Sequence, residues 1–179
     1  MKRICVFCGS SQGSRTEYRA AAEELAAELA RRNTGLVYGG GNVGLMGIIA
    51  DAVLRAGGEA QGVIREHLIA RDVGHKGLTK LRVVRSMHER KALMADLSDT
   101  FVALPGGLRI PQGFACKPSC VLGFYSPLLA AVNHALEERF LKTENRALVL
   151  ARDQRADLLQ ALEQWRPAHI EKWLDRQTR

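Results

Sequence analysis

Short apolar runs recur along the chain at strand length, separated by longer stretches in which Ala and Leu repeat at helical spacing. The runs Ile4–Phe7, Gly35–Tyr38, Ala60–Ile64, Leu81–Val84, Phe101–Leu104 and Ala147–Ala151 predict strands. Between them, Glu17–Arg32, Leu45–Ala56, His88–Leu97, Pro127–Phe140 and Asp153–Trp165 predict helices, the first with Ser14 and Thr16 as candidate caps. This β-α-β-α rhythm predicts an α/β fold, a doubly wound parallel sheet with helices on both faces. The 179 residues, 46% of them hydrophobic, suit one such domain over residues 1–168, and a basic tail, His169–Arg179, follows it.

In Rossmann-like sheets of this kind, ligands bind beyond the carboxyl ends of the strands. Three strand-end loops are conspicuous there: Cys8-Gly9-Ser10-Ser11, Gly39-Gly40-Gly41-Asn42-Val43-Gly44 and Pro105-Gly106-Gly107. A glycine cluster between a strand and a helix lets backbone approach a phosphate, and the helix start offers N–H groups and partial positive charge. The spacing Gly39-x-Gly41-x-x-Gly44 matches the dinucleotide fingerprint, but it follows the second strand. The next strand ends at Ile64-Arg65 without the acidic ribose anchor, so a full NAD site is not expected. Met87-His88-Glu89-Arg90-Lys91 brings two adjacent cations to the same edge, suited to a phosphate or a sugar hydroxyl. Taken singly, each loop reads equally as a tight turn and the cation pair as a solvated helix face.

The net charge of +7 and the isoelectric point near 9.6 suit an anionic partner. Aromatic residues make up only 6%, too few for the stacking platforms of single-strand binders, so nucleic acid is not the expected partner. The four cysteines are Cys5, Cys8, Cys116 and Cys120; strand alternation sends Cys5 and Cys8 to opposite faces, which argues against a shared metal. No stretch approaches the roughly 18 apolar residues of a membrane helix, and the opening MKRICVFCGSS turns polar too soon for a secretion signal. A cytoplasmic protein without membrane contact is expected.

Phe7-Cys8-Gly9-Ser10-Ser11, Tyr38–Gly47, Met87–Lys91 and Leu104-Pro105-Gly106-Gly107 together resemble the successive motifs of the LOG (Lonely Guy) family, once labelled as lysine decarboxylases. The resemblance resumes at Gly123-Phe124-Tyr125-Ser126-Pro127-Leu128-Leu129 and continues to Phe140. It implies a phosphoribohydrolase that splits the N-glycosidic bond of a cytokinin riboside 5′-monophosphate, or of AMP, into free base and ribose 5-phosphate. It implies a homodimer and no metal or redox cofactor. By position, Gly40, Gly41, Gly44, Gly106 and Gly107 would line the phosphate and ribose pocket. Arg90 would be the catalytic arginine beside Lys91, with Ser10 and Asp72 as further nucleotide contacts.

One motif departs from the family. Its pattern is Pro-Gly-Gly-x-Gly-Thr-x-x-Glu, whereas this chain runs Pro105-Gly106-Gly107-Leu108-Arg109-Ile110-Pro111-Gln112-Gly113, with Gly113 where the carboxylate should stand. The stretch up to Gly123 is also short, and Pro111, Gly113 and Pro118 disfavour the long helix that carries catalytic and subunit contacts in the family. Losing acid–base assistance costs about 10²–10⁴-fold in rate. Glu66, Asp72 and Glu89 are the carboxylates available as substitutes, although most such groups are simply exposed. A second reading follows: a catalytically impaired protein of the same fold that binds a nucleoside monophosphate. A compensated shift of reading frame across Leu108–Leu122 would leave the same pattern.

Overall fold

The computed structural model describes residues 1–69, 73–107, 116–118, 123–146 and 155–164. In chain order the elements are β1 (Arg3–Phe7), α1 (Thr16–Arg31), β2 (Gly35–Tyr38), α2 (Gly44–Arg55), β3 (Ala60–Arg65), α3 (Glu66–Ile69) and β4 (Lys80–Val84). There follow α4 (Met87–Asp96), β5 (Thr100–Ala103), β6 (Cys116–Pro118), α5 (Ser126–Glu137), α6 (Thr143–Arg146) and α7 (Arg155–Gln164). The strands form one sheet in the order β4-β3-β2-β1-β5-β6, and every pairing is parallel. The chain winds outward from β1 to β4, then returns to the other side of β1 to lay down β5. The strand order therefore reverses between β1 and β5, the point beyond whose carboxyl ends sheets of this kind form a ligand crevice.

Alternation along the central strands supplies two apolar faces. Ile4, Val6, Leu36 and Tyr38 pack against Leu25 and Leu29 of α1, Ile49 and Val53 of α2, and Leu158, Leu159 and Leu162 of α7. On the opposite face Cys5, Val37, Val63 and Val84 meet Met94 of α4. Each fully buried Leu or Ile contributes roughly 1.5–3 kcal/mol, so these two clusters hold the sheet in place between its helices. The doubly wound architecture expected from the pattern is the one observed.

Helix ends account for several boundaries. Neither Ser14 nor Thr16 caps α1: Arg15 is the cap residue without a side-chain bond, and the Thr16 hydroxyl donates to Glu17 at 3.3 Å instead. At the other end Asn33 takes a left-handed φ of 51°, and the Thr34 and Asn33 N–H groups close back on the Leu29 and Ala30 carbonyls. Gly57 and Gly58 end α2 in the same way.

The expected strand at Ala147–Ala151 and the basic tail lie outside the described residues. A strand that the pattern did not suggest, β6, pairs with β5 inside the stretch whose Pro111, Gly113 and Pro118 disfavour a long helix; three residues are too short for a periodicity to register. The helix expected to run to Phe140 stops at Glu137, where Arg139 adopts a left-handed φ of 63°.

On α1, Glu28 accepts from Arg31 Nε at 2.8 Å and Arg32 Nε at 2.7 Å, and Arg32 also reaches Glu163 of α7 at 3.1 Å. The Arg31 bond, then that of Arg32, hold the Glu28 carboxyl down at about 2 against an ordinary 4.5. A lowered folded-state pKa means stability that is complete above pH 4.5 and disappears as pH falls through 2. Glu28→Gln should therefore cost about 1 kcal/mol at pH 7, seen as a melting point lower by about 2–4 °C. The two melting points should converge as pH falls below 2; an unchanged melting point at pH 7 would show that the cluster contributes nothing.

Candidate active site

All three glycine-bearing loops meet at the strand-order reversal. The Gly9 N–H, just past β1, donates to the Pro105 carbonyl at 3.0 Å, and the Gly9 carbonyl accepts from the Leu45 N–H at 3.1 Å. One residue thus ties the loop after β5 to the first turn of α2. These approaches need residues without side chains: a Cβ on Gly106 would stand 2.8 Å from the Gly9 nitrogen, and one on Gly44 would overlap the Ser10 carbonyl. On the far side, the buried Tyr125 hydroxyl donates to the Leu104 carbonyl at 2.7 Å, which fixes the entrance of the Pro105-Gly106-Gly107 turn.

Helix α2 begins at Gly44 behind an extended Val43, with no capping side chain and no acidic residue in its first turn. Of its first three N–H groups, that of Leu45 is given to Gly9, while those of Gly44 and Met46 have no backbone acceptor among the described residues. Such a start, with the helix dipole behind it, is suited to an anion.

Arg90 arrives from α4. The Ser86 hydroxyl accepts the Glu89 N–H at 3.1 Å and the Glu89 carboxylate accepts the Arg85 N–H at 3.0 Å, a capping arrangement that starts the helix. One residue further, the Arg90 Nε donates to the Val63 carbonyl at 2.8 Å and Nη2 to the Gly39 carbonyl at 2.9 Å. The guanidinium therefore bridges the ends of β3 and β2 in a fixed plane. A Cβ on Gly39 would lie 2.5 Å from Nη2 and 3.2 Å from the Met46 sulfur, so this one glycine admits the guanidinium beside the start of α2.

The expected site residues thus separate by position. Arg90, Gly44 and Gly106 converge on the crevice; Gly40 and Gly41 are buried beneath it; Ser10, Lys91 and Gly107 are exposed at its rim or on α4. Asp72 and Gly113 lie outside the described residues. Of the candidate substitute acids, Glu89 is used in the helix start and Glu66 is exposed in the first turn of α3. Cys8 packs with the α1/α2 cluster and Cys5 with the opposite one, and burial pushes the Cys8 thiol up to about 12, so it stays protonated. Two groups beside the site escaped the sequence reading, His75, which contacts Asp51 at 2.9 Å, and Tyr125. Tyr125 lies in the Gly123–Leu129 motif, which is the signal that could have found it; His75 has only its flanking glycines to mark it.

Comparison with known proteins agrees with this geometry. The family model described as "Possible lysine decarboxylase" matches residues 46–108, the stretch from α2 to the Gly106-Gly107 turn. Among solved structures, the molybdenum cofactor carrier protein of Chlamydomonas reinhardtii superimposes with a TM-score of 0.70 over 91% of this chain and 96% of its own, at 17% identity, which shows a shared fold. The Arabidopsis thaliana protein named cytokinin riboside 5′-monophosphate phosphoribohydrolase LOG4 is 40% identical over 181 residues, covering 93% of this chain and 84% of its own. The Oryza sativa protein named "Probable cytokinin riboside 5′-monophosphate phosphoribohydrolase LOGL6" is 41% identical over 182 residues, 94% of this chain and 73% of its own. With identity at this level over nearly the whole chain, and with the glycine loops and the anchored arginine in place, the chain belongs to the LOG family of phosphoribohydrolases.

Proposed function

We propose that this protein hydrolyses the N-glycosidic bond of a nucleoside 5′-monophosphate, AMP or a cytokinin ribotide, giving free base and ribose 5-phosphate. The observation that carries the reading is the convergence of an uncapped, acid-free helix start and an anchored guanidinium on one crevice. The phosphate sits at the first turn of α2, the ribose lies over the backbone contact between Gly9 and Gly106, and Arg90 orients the sugar. Cleavage proceeds through an oxocarbenium-like state: the bond from C1′ to the base nitrogen breaks, the water oxygen bonds to C1′, and the water's proton ends on the departing base. No metal or redox cofactor takes part. The proposal extends to a homodimer working in the cytoplasm.

The absent motif glutamate bears on rate more than on binding. A carboxylate that manages the proton contributes about 10²–10⁴-fold, so turnover below that of a relative with the complete motif is expected. Purified protein should be incubated with AMP, with calorimetry for binding and chromatography for adenine and ribose 5-phosphate. Release of both products supports the hydrolase. Binding without release leaves a nucleotide-holding protein, and absence of binding removes both readings.

A further inference from the structure

We infer that His75 is a positioning residue that latches the β3–β4 connection over the glycine-rich turn and so holds the start of α2 in its anion-binding shape. This rests on the proposed placement of phosphate at that start. Parallel neighbours such as β3 and β4 are ordinarily joined through a helix that covers one sheet face. Here the described part of the connection contains only the four-residue α3, after which the chain crosses back over the glycine turn. Gly74 forms an antiparallel bridge with Gly41, the Val73 carbonyl accepts the Asn42 N–H at 2.9 Å, and the His75 N–H donates to the Gly40 carbonyl at 3.0 Å.

Two backbone bonds between glycine-rich segments make a weak ladder, because glycine loses the most conformational freedom on ordering and a two-stranded pair is marginal by itself. The His75 ring supplies the lock. Its Nδ1 lies 3.1 Å from the Gly77 backbone nitrogen. A backbone N–H can only donate, so Nδ1 must accept and the ring proton must sit on Nε2. That Nε2–H then donates to the Asp51 carboxylate at 2.9 Å. The tautomer is set by one bond and used by the other.

Asp51 lies on α2, seven residues after Gly44, while the His75 side chain is only 10% exposed. The helix that opens the site is consequently held at two places, by Gly9 at its first turn and by His75 two turns later. The lock also closes over the turn that leads into that helix. Releasing the ring frees Val73–His75 from Gly40–Asn42 and lets the turn and helix start drift from the crevice.

Hydrogen exchange at the Asn42 amide reads the latch directly, and calorimetric AMP affinity reads its consequence. In His75→Ala we expect Asn42 to exchange about tenfold faster and AMP to bind about tenfold more weakly. In the turnover assay KM should rise with little change in kcat. His75→Gln keeps a donor within reach of Asp51 and should restore both; Asp51→Asn keeps the acceptor and should also be tolerated. Asp51→Ala combined with His75→Ala should be no worse than either alone. Unchanged exchange in His75→Ala, or faster exchange with unchanged AMP affinity, overturns the proposal, as does failure of the Gln variant to rescue. Wild-type protein that binds no AMP would instead remove the functional reading beneath it, an outcome separate from the exchange result.

Discussion

Arg90→Ala is expected to lower AMP cleavage by about 10²–10³-fold, the range lost when a pre-aimed donor is removed from a reaction centre. The guanidinium does two things at once. Toward the sheet it satisfies the Val63 and Gly39 carbonyls at the ends of β3 and β2. Truncation leaves those acceptors without their partner at a cost of about 1–3 kcal/mol, so a lower melting point should accompany the loss of rate. The two effects can be told apart with Arg90→Lys. Lysine keeps the charge, but its single ammonium on a flexible stem cannot hold two carbonyls on different strands in one plane. It should recover much of the AMP affinity while the rate stays low. A variant Arg90→Ala that melts earlier yet turns AMP over at the wild-type rate would reduce Arg90 to a strut and sink the assignment.

The fold was legible wherever a single element decided its own fate. Ile4–Phe7, Gly35–Tyr38 and Phe101–Leu104 announce themselves by composition, and all three occur as central strands within a residue of the expected bounds. The strand-end glycines were legible for the same reason, since a turn that must pass close to another backbone needs them locally. What stayed hidden were pairings between distant positions. Nothing in Gly39 says that a guanidinium from a residue 51 positions later will lie against it. His75 and Asp51, 24 apart, share no periodicity that would have joined them. Glu89, one of the three carboxylates available as substitutes, forms with Ser86 a start for α4, and Ser-x-x-Glu before an apolar run is itself a legible capping pattern.

The departure from the family motif acquires a physical meaning from these contacts. The turn at Pro105-Gly106-Gly107 is held by Gly9 on one side and by Tyr125 on the other, and both anchors lie outside residues 108–122. The helix start at Gly44 and the anchored Arg90 precede that segment altogether. The described contacts that shape the proposed phosphate and ribose site thus come from residues outside the stretch in which the glutamate is missing. Binding and turnover can accordingly part company in this chain, and for this reason affinity and product release have to be measured on the same sample.

Gly44→Ala should be among the most damaging single changes outside the hydrophobic core. Gly44 has a φ of +59°, and an added Cβ would overlap the Ser10 carbonyl carbon and stand 2.5 Å from the Ser11 nitrogen. Both are backbone atoms of a loop pinned through Gly9 to Pro105 and Leu45, so neither can yield as a flexible side chain would. The left-handed conformation costs about 1–2 kcal/mol and forced overpacking a further 1–3. The sum, about 2–5 kcal/mol, corresponds to a melting point lower by about 4–20 °C, and AMP affinity should fall with it as the Ser10 loop is pushed off the helix start. Two other glycines separate the causes. Gly57 has a φ of +76° but no described atom near its Cβ position, so Gly57→Ala should show the conformational cost alone and leave AMP binding intact. Gly107 has no described atom near its Cβ position and no left-handed φ, and against the described residues Gly107→Ala should change stability by no more than about 0.5 kcal/mol. If Gly44→Ala melted no lower than Gly57→Ala, the Ser10 loop would have to be free to move, and the tie that Gly9 makes across the crevice would not be what holds the site together.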